Sequence, residues 1–126
     1  MKKIINTTKA PAPIGPYNQA VLSGNTLYIS GQIPLNPETG LLVQGDIKEE
    51  TKQSMENLRV ILEEAKMSFE NVVKSSIFLS DMNQFSEVNE VYGTYFKADT
   101  APARETVEVE NLPKFVNVEI SMIAVQ

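Results

Sequence analysis

Arg104 is one of only two arginines in the chain, and it stands behind an Ala-Pro-Ala lead-in at the mouth of an alternating segment, ARETVEVE (103–110). A guanidinium offers a planar fork that matches a carboxylate through two hydrogen bonds. Two readings stay open at this point: a receptor for a small organic anion, or one half of an ion pair between subunits. Arg59, beside Leu58 and four residues before Glu63, reads as a solvated helix charge. Glu119 is the second group of interest. It alternates with Val118 and Ile120, and a carboxylate set between apolar neighbours loses hydration, which raises its pKa and suits it to proton transfer; pairing with a cation is the plainer alternative. Tyr17 follows a rigid Pro-Ile-Gly-Pro segment and is suited either to lining a pocket or to core packing. Ser30-Gly31 ends a strand-like run, where glycine lets the backbone come close to a ligand or simply turn. Asn89 falls at helical spacing from Phe85 and Tyr92, where an amide needs hydrogen-bond partners.

The chemistry is bounded by what is missing. Neither histidine nor cysteine occurs in the 126 residues. Disulfides, thiolate nucleophiles, Ser-His-Asp and Cys-His arrangements and the usual zinc ligands are therefore excluded. Any acid–base work falls to carboxylates, tyrosines, lysines or water. The net charge is −5 and the longest basic run is Lys2-Lys3. That argues against nucleic acid, which calls for a concentrated cationic surface. No apolar stretch reaches membrane length, and the N-terminus has no apolar h-region, so a cytoplasmic protein without membrane partners is expected.

The elements that must position these groups follow from periodicity. The length and 42% hydrophobic content fit a single domain over 1–126. Residues 2–6 read as an edge strand, and 17–23 and 26–30 as strands joined by a Gly24-Asn25 hairpin turn. KAPAPIGP (9–16) is an extended loop because proline excludes helix. Asp46 and Glu49 predict a capping box for a helix over about 47–66, with Ile47, Met55, Leu58, Leu62 and Ala65 as its apolar stripe. A strand over 71–80, a second helix over about 83–97 and two last strands complete the order β-β-β-α-β-α-β-β. Strand–helix–strand implies a right-handed crossover and parallel pairing, whereas hairpins imply antiparallel pairing. The fold class is α+β: a mixed sheet with both helices on one face. In the last strand Val118, Ile120, Met122 and Ala124 share one side, and Glu119, Ser121, Ile123 and Val125 share the other. Two helices cannot cover that second side, so a homo-oligomer is expected. Val107 and Val109 are placed toward the helices, which would turn Arg104 and Thr106 to the uncovered face beside Glu119.

Taken together, IGPYNQAV (14–21), LYISGQIPLNPETGLLV (27–43) and TAPARETVEVENLPK with VEISMIAV (100–125) resemble the Rid, or YjgF, family of reactive-intermediate deaminases through almost the whole chain. The resemblance implies a chorismate-mutase-like protomer and a homotrimer whose sheets form a central barrel, with a cleft at each subunit boundary. It implies hydrolysis of enamines and imines such as 2-aminoacrylate and 2-iminobutanoate, released by pyridoxal-phosphate enzymes, to 2-oxo acids and ammonia, with no cofactor or metal. By the same resemblance Arg104 binds the substrate carboxylate, Glu119 positions or activates water, Tyr17 lines the pocket, and Ser30, Gly31 and Asn89 border the site. Many members carry cysteine where this chain has Thr106; its backbone N–H can still meet a carboxylate. The alternative is a non-catalytic trimeric module binding 2-oxo acids. A ribonuclease or translation-inhibitor activity has also been attached to the family, and the acidic charge and missing histidine argue against it.

Overall fold

The computed structural model describes residues 1–126. Strands β1 (Lys2–Ile5), β2 (Ala20–Ser23), β3 (Thr26–Gln32), β4 (Val72–Leu79), β5 (Ala103–Glu108) and β6 (Val118–Val125) form one six-stranded sheet in the order β1-β2-β3-β6-β4-β5. Only β4 and β5 pair in parallel, and the connection between them carries a helix; β3 and β4, also joined through a helix, are separated by β6. Helices α1 (Ile47–Glu64) and α2 (Phe85–Gly93) lie together on one face. No helix is long and apolar enough to cross a membrane.

Local chemistry explains the elements. Gly24 takes φ +60 in the β2–β3 turn, a region open to glycine at no steric cost. Asp46 caps α1 by accepting from the Lys48 N–H at 2.9 Å, but Glu49 does not return the bond to the Asp46 N–H, so the expected capping box is only half formed. The helix ends in a double closure, Met67 N–H to the Leu62 carbonyl and Lys66 N–H to the Glu63 carbonyl, with Lys66 at φ +60. Between these ends Met55, Leu58, Ile61 and Leu62 are fully buried against β3 and β6. Truncating one of them to alanine is expected to cost about 2–5 kcal/mol.

α2 is shorter than its apolar spacing predicts. Residues 82–84 form a separate 3₁₀ turn capped by Asp81, and the α-helix stops at Gly93. Tyr95 and Phe96 still pack against the core, but from the turn that follows.

The two sheet faces differ as the last strand predicts. Val118, Ile120, Met122 and Ala124 are buried beneath the helices, whereas Glu119, Ser121, Ile123 and Val125 remain partly exposed. Across the uncovered face, Ile4, Val21, Tyr28 and Ile123 stand in one cross-strand row. Tyr28 is 51% exposed and Ile4 41%.

β5 corrects the expectation. Arg104 pairs with Ser75 and Thr106 with Ile77, both of which are buried on the helix side. Arg104 and Thr106 therefore face α2, and Val107, paired with Phe78, faces the uncovered side. The valines misled because the molecule has two apolar clusters. Val109 and Phe78 join the smaller one, around Ile33, Leu112 and Val116, not the core under the helices.

Candidate functional site

Arg104 is seated by α2. Its Nη1 donates to Asn89 Oδ1 at 2.8 Å, and the guanidinium carbon lies 5.0 Å from the Tyr92 ring centroid and 5.6 Å from that of Phe85. Aromatic faces attract the cation without neutralising it. All four ion pairs of the chain involve other residues, so no carboxylate of the same chain occupies Arg104. Tyr92 is itself fixed by donating to Ser75 Oγ at 2.9 Å. Asn89 is exposed instead of buried on the inward stripe, and its amide is turned onto Arg104. Phe85 and Tyr92, which the sequence marked only by their helical spacing from Asn89, are the seat of the guanidinium; an aromatic pair one helical turn either side of that amide was the available signal.

β5 is the sheet's edge. The Val109 N–H bonds inward to the Leu79 carbonyl, and successive N–H groups of a strand alternate in direction. Hence the N–H groups of Thr106 and Arg104 point to the free edge, beside the guanidinium. Together these donors match a carboxylate in charge and geometry.

Glu119 belongs to a different place. It lies on the uncovered face, half-buried, and burial alone pushes its pKa above the ordinary carboxylate range. A register shift in β3 sets its neighbour. Ile29 pairs with Met122 but Gln32 pairs with Ile120, so β3 carries one extra residue at Ser30–Gly31. This brings Gly31 onto the Glu119 side chain so closely that a Cβ there would sit 2.8 Å from its carboxyl carbon. Gly31 also borders a small recess shared with Tyr17, Pro13 and Ile14. Tyr17 is 46% exposed; its oxygen accepts from the Ile14 N–H at 3.3 Å, leaving its own proton free to donate. Ser30, in the same bulge, ties down the neighbouring loop. Its hydroxyl donates to the Asn18 carbonyl at 2.7 Å, which fixes the loop carrying Tyr17.

Gln19 escaped the sequence reading. Its buried amide accepts from the Thr7 N–H at 2.7 Å and donates to the carbonyls of Thr7, Ala10 and Pro11. A loop with Pro11, Pro13 and Pro16 lacks N–H donors to satisfy its own carbonyls, and that shortage was the readable sign.

Arg104, Asn89 and Thr106 thus come together, as do Glu119, Gly31 and Tyr17, but the two groups do not converge within one chain, contrary to expectation. Arg104 pairs with Ser75 and Glu119 with Phe78 on β4, three residues apart or about 10 Å along the strand, and on opposite faces. A concavity of about 650 Å³ between the N-terminal loop and the turn at Asn36–Gly40 touches neither residue.

Residues 7–126 match the family model described as Endoribonuclease L-PSP. A RutC family protein of Pyrococcus horikoshii is 52% identical over 124 residues, covering 98% of each chain. The mouse protein named 2-iminobutanoate/2-iminopropanoate deaminase is 52% identical over 126 residues, spanning 100% of this chain and 93% of its own. A crystal structure of a conserved Rid-family protein from Yersinia pestis superposes with a TM-score of 0.97 at 46% identity over 100% of both chains.

Proposed function

From a chain that belongs to the endoribonuclease L-PSP family, the YjgF/Rid proteins, we propose a deaminase that hydrolyses 2-imino acids and their enamine tautomers to 2-oxo acids and ammonia. The observation that carries this reading is the Arg104 guanidinium, seated on aromatic rings, bonded only to a neutral amide, and flanked by free N–H groups at a strand edge. The substrate carboxylate bridges that fork and the Thr106 N–H. Glu119 takes a proton from water as its oxygen adds to the imine carbon. The imine nitrogen, protonated from solvent before the attack, becomes the neutral amine of the carbinolamine; the Glu119 carboxyl then protonates it, and ammonia leaves as the C–N bond breaks, while the hydroxyl returns its proton to the Glu119 carboxylate and the C=O bond of the 2-oxo acid forms. Imines hydrolyse in water unaided, so orientation and acid–base help on the order of 10²–10⁴ in rate suffice.

In a 2-imino acid the carboxyl carbon is bonded directly to the imine carbon. One molecule cannot reach Arg104 and Glu119 of the same chain across about 10 Å and two sheet faces. The proposal therefore includes an oligomer, in our reading the homotrimer, in which Arg104 of one protomer meets Glu119, Gly31 and Tyr17 of the next. The uncovered row Ile4–Val21–Tyr28–Ile123 supports such an assembly. Deaminase names among relatives near 50% identity support the chemistry; other relatives carry only the RutC name.

The test is complementation. Arg104→Ala and Glu119→Gln are each purified, then unfolded and refolded together in equal amounts. Intact sites recur where Arg104 comes from one variant and Glu119 from the other, about one site in four for random assembly. Activity on 2-iminobutanoate generated in place by an amino-acid oxidase should recover to roughly a quarter of the wild-type value. No recovery means that Arg104 and Glu119 do not meet across a subunit boundary. A non-catalytic module would instead bind 2-oxo acids without turnover, through Arg104 but not through Glu119.

A further inference from the structure

We infer that the buried Gln19 amide is a positioning residue for the reaction, setting the Tyr17 phenol relative to the Glu119 carboxyl; the inference rests on the deaminase reading above. The strap from Lys9 to Pro16 belongs to no helix or strand, and Ala10 is its only buried residue. Packing therefore does little to hold it. Pro11, Ala12 and Pro13 border two spaces at once, the recess at Tyr17 and Gly31 and the concavity of about 650 Å³ beside Asn36. A partition with open space on both sides swings unless it is tied. Gln19, 2% exposed, is the tie. It shares its two side-chain N–H groups among the carbonyls of Thr7, Ala10 and Pro11, at 3.0, 3.3 and 2.8 Å, and its Oε1 accepts from the Thr7 N–H at 2.7 Å. The prolines of the strap have no N–H with which to replace those bonds.

What the strap carries is the tip of Tyr17. The Ile14 N–H donates to the phenol oxygen at 3.3 Å, and Pro13 and Ile14 wall the recess into which the ring faces. The base of Tyr17 is fixed from the other direction. The Gln19 carbonyl accepts from the Ser30 N–H at 2.9 Å, and the Asn18 carbonyl from the Ser30 hydroxyl at 2.7 Å. Ser30 and Gly31 form the bulge that presses on Glu119. One residue thus joins both groups: the side chain of Gln19 holds the strap behind the phenol, and its backbone holds the bulge behind the carboxyl. Arg104 stands apart from this linkage, on the edge strand β5, with α2 as its seat. Gln19 therefore bears on the chemical step and leaves recognition of the carboxylate alone.

The test is a kinetic split combined with a double-mutant cycle. Gln19→Met keeps the length of the side chain but removes the amide, so the strap turns its carbonyls to water and swings outward. The kcat on 2-iminobutanoate should fall by about 10–100-fold. KM, and the affinity for 2-oxobutanoate by titration calorimetry, should stay within about twofold of the wild type. In a Tyr17→Phe background the same substitution should lower kcat by less than about twofold, because the phenol it aims is already gone. A merely structural role gives losses that multiply with those of Tyr17→Phe and that reach KM as well. Gln19→Glu is the second variant. Ionised, its carboxyl still accepts from the Thr7 N–H but offers the three carbonyls nothing; protonated, it donates to one of them. Its kcat relative to the wild type at the same pH should rise as the pH falls. Wild-type kcat in Gln19→Met, multiplying losses, or failure of both variants to fold overturns the inference and assigns the amide to the fold alone. The wild type, assayed alongside, separates the two claims: turnover by the wild type with an undiminished kcat in Gln19→Met removes only the role of Gln19, whereas absence of turnover by the wild type removes the deaminase reading itself.

Discussion

Gly31 and Glu119 touch so closely that no side chain fits between them: a Cβ built on Gly31 would lie 2.8 Å from both Cδ and Oε2 of Glu119 and 2.9 Å from its Cγ. The contact comes from the extra residue in β3, and it fixes where the carboxylate points. The obstructing atoms belong to the outer half of a flexible side chain, so Gly31→Ala is expected to swing Glu119 aside and leave the sheet intact. Circular dichroism and the melting temperature should change little, while kcat on 2-iminobutanoate should drop about 10²-fold, since misplacing a proton-transfer group by an ångström costs that much. A variant that keeps its activity would show that the position of Glu119 is unimportant.

Glu119 also sets the acid limb of the pH profile. Burial raises its pKa above the usual carboxylate range, and the ionised form is the one that accepts a proton from water. Activity should therefore fall with decreasing pH through an inflection above that of an exposed glutamate, and this inflection should vanish in Glu119→Gln. The variant should retain its affinity for 2-oxobutanoate while kcat falls by about 10²–10⁴. An acid limb that survives the substitution assigns it to another group.

Arg104 is held by geometry that lysine cannot copy. The fork donates to Asn89 at 2.8 Å with one nitrogen and offers the rest outward over Tyr92. Arg104→Lys retains the charge but loses the paired bonds and the stacking, so KM should rise by about 10–100-fold, and Arg104→Ala should abolish measurable binding of 2-oxobutanoate. Asn89→Ala should fall between wild type and Arg104→Lys, because it frees the guanidinium without removing it. Equal KM values for Arg104 and Arg104→Lys would mean that a point charge suffices.

Much of this architecture was legible in the chain. The Gly24-Asn25 turn, the Asp46 cap and the alternation from Val118 to Val125 are local signals, and each appears where periodicity and turn chemistry put it. Relations between distant segments were harder. Alternation in β5 shows that Arg104 and Thr106 share a side, but it is symmetric and does not say which side. Val107 and Val109 looked core-directed, and no local rule distinguishes the helix-covered core from the second cluster around Ile33 and Leu112. The β3 bulge was hidden for a similar reason: Gly31 announces a close approach, but the approaching group lies on β6, and the pairing register between those strands is a tertiary property. The separation of Arg104 from Glu119 follows from the same sidedness, which is why the site reads as continuous in sequence motifs but divided in the folded chain.

Glu50 offers a test of the fold that is independent of the site. It is 3% exposed at the start of α1, and its carboxylate accepts only from Asn117 Nδ2, at 3.1 and 3.3 Å. Asn117 is in turn held by Ser80, whose hydroxyl donates to its Oδ1 at 3.0 Å. Burial, outweighing the Asn117 bond, raises the Glu50 pKa. The folded state thus retains a proton that the unfolded state has already released. By linkage, stability is greatest below the unfolded pKa of about 4.3 and declines as pH rises from there through the raised folded value, after which it levels off. Glu50→Gln leaves an oxygen to accept from Asn117 and removes the buried charge. At pH 7.5 it should raise the melting temperature by about 2–5 °C, and the advantage should shrink toward zero near pH 4, where the native glutamate is neutral in both states. An equal effect at both pH values would assign the change to packing, and a loss at pH 7.5 would mean that the charge is satisfied in the folded protein.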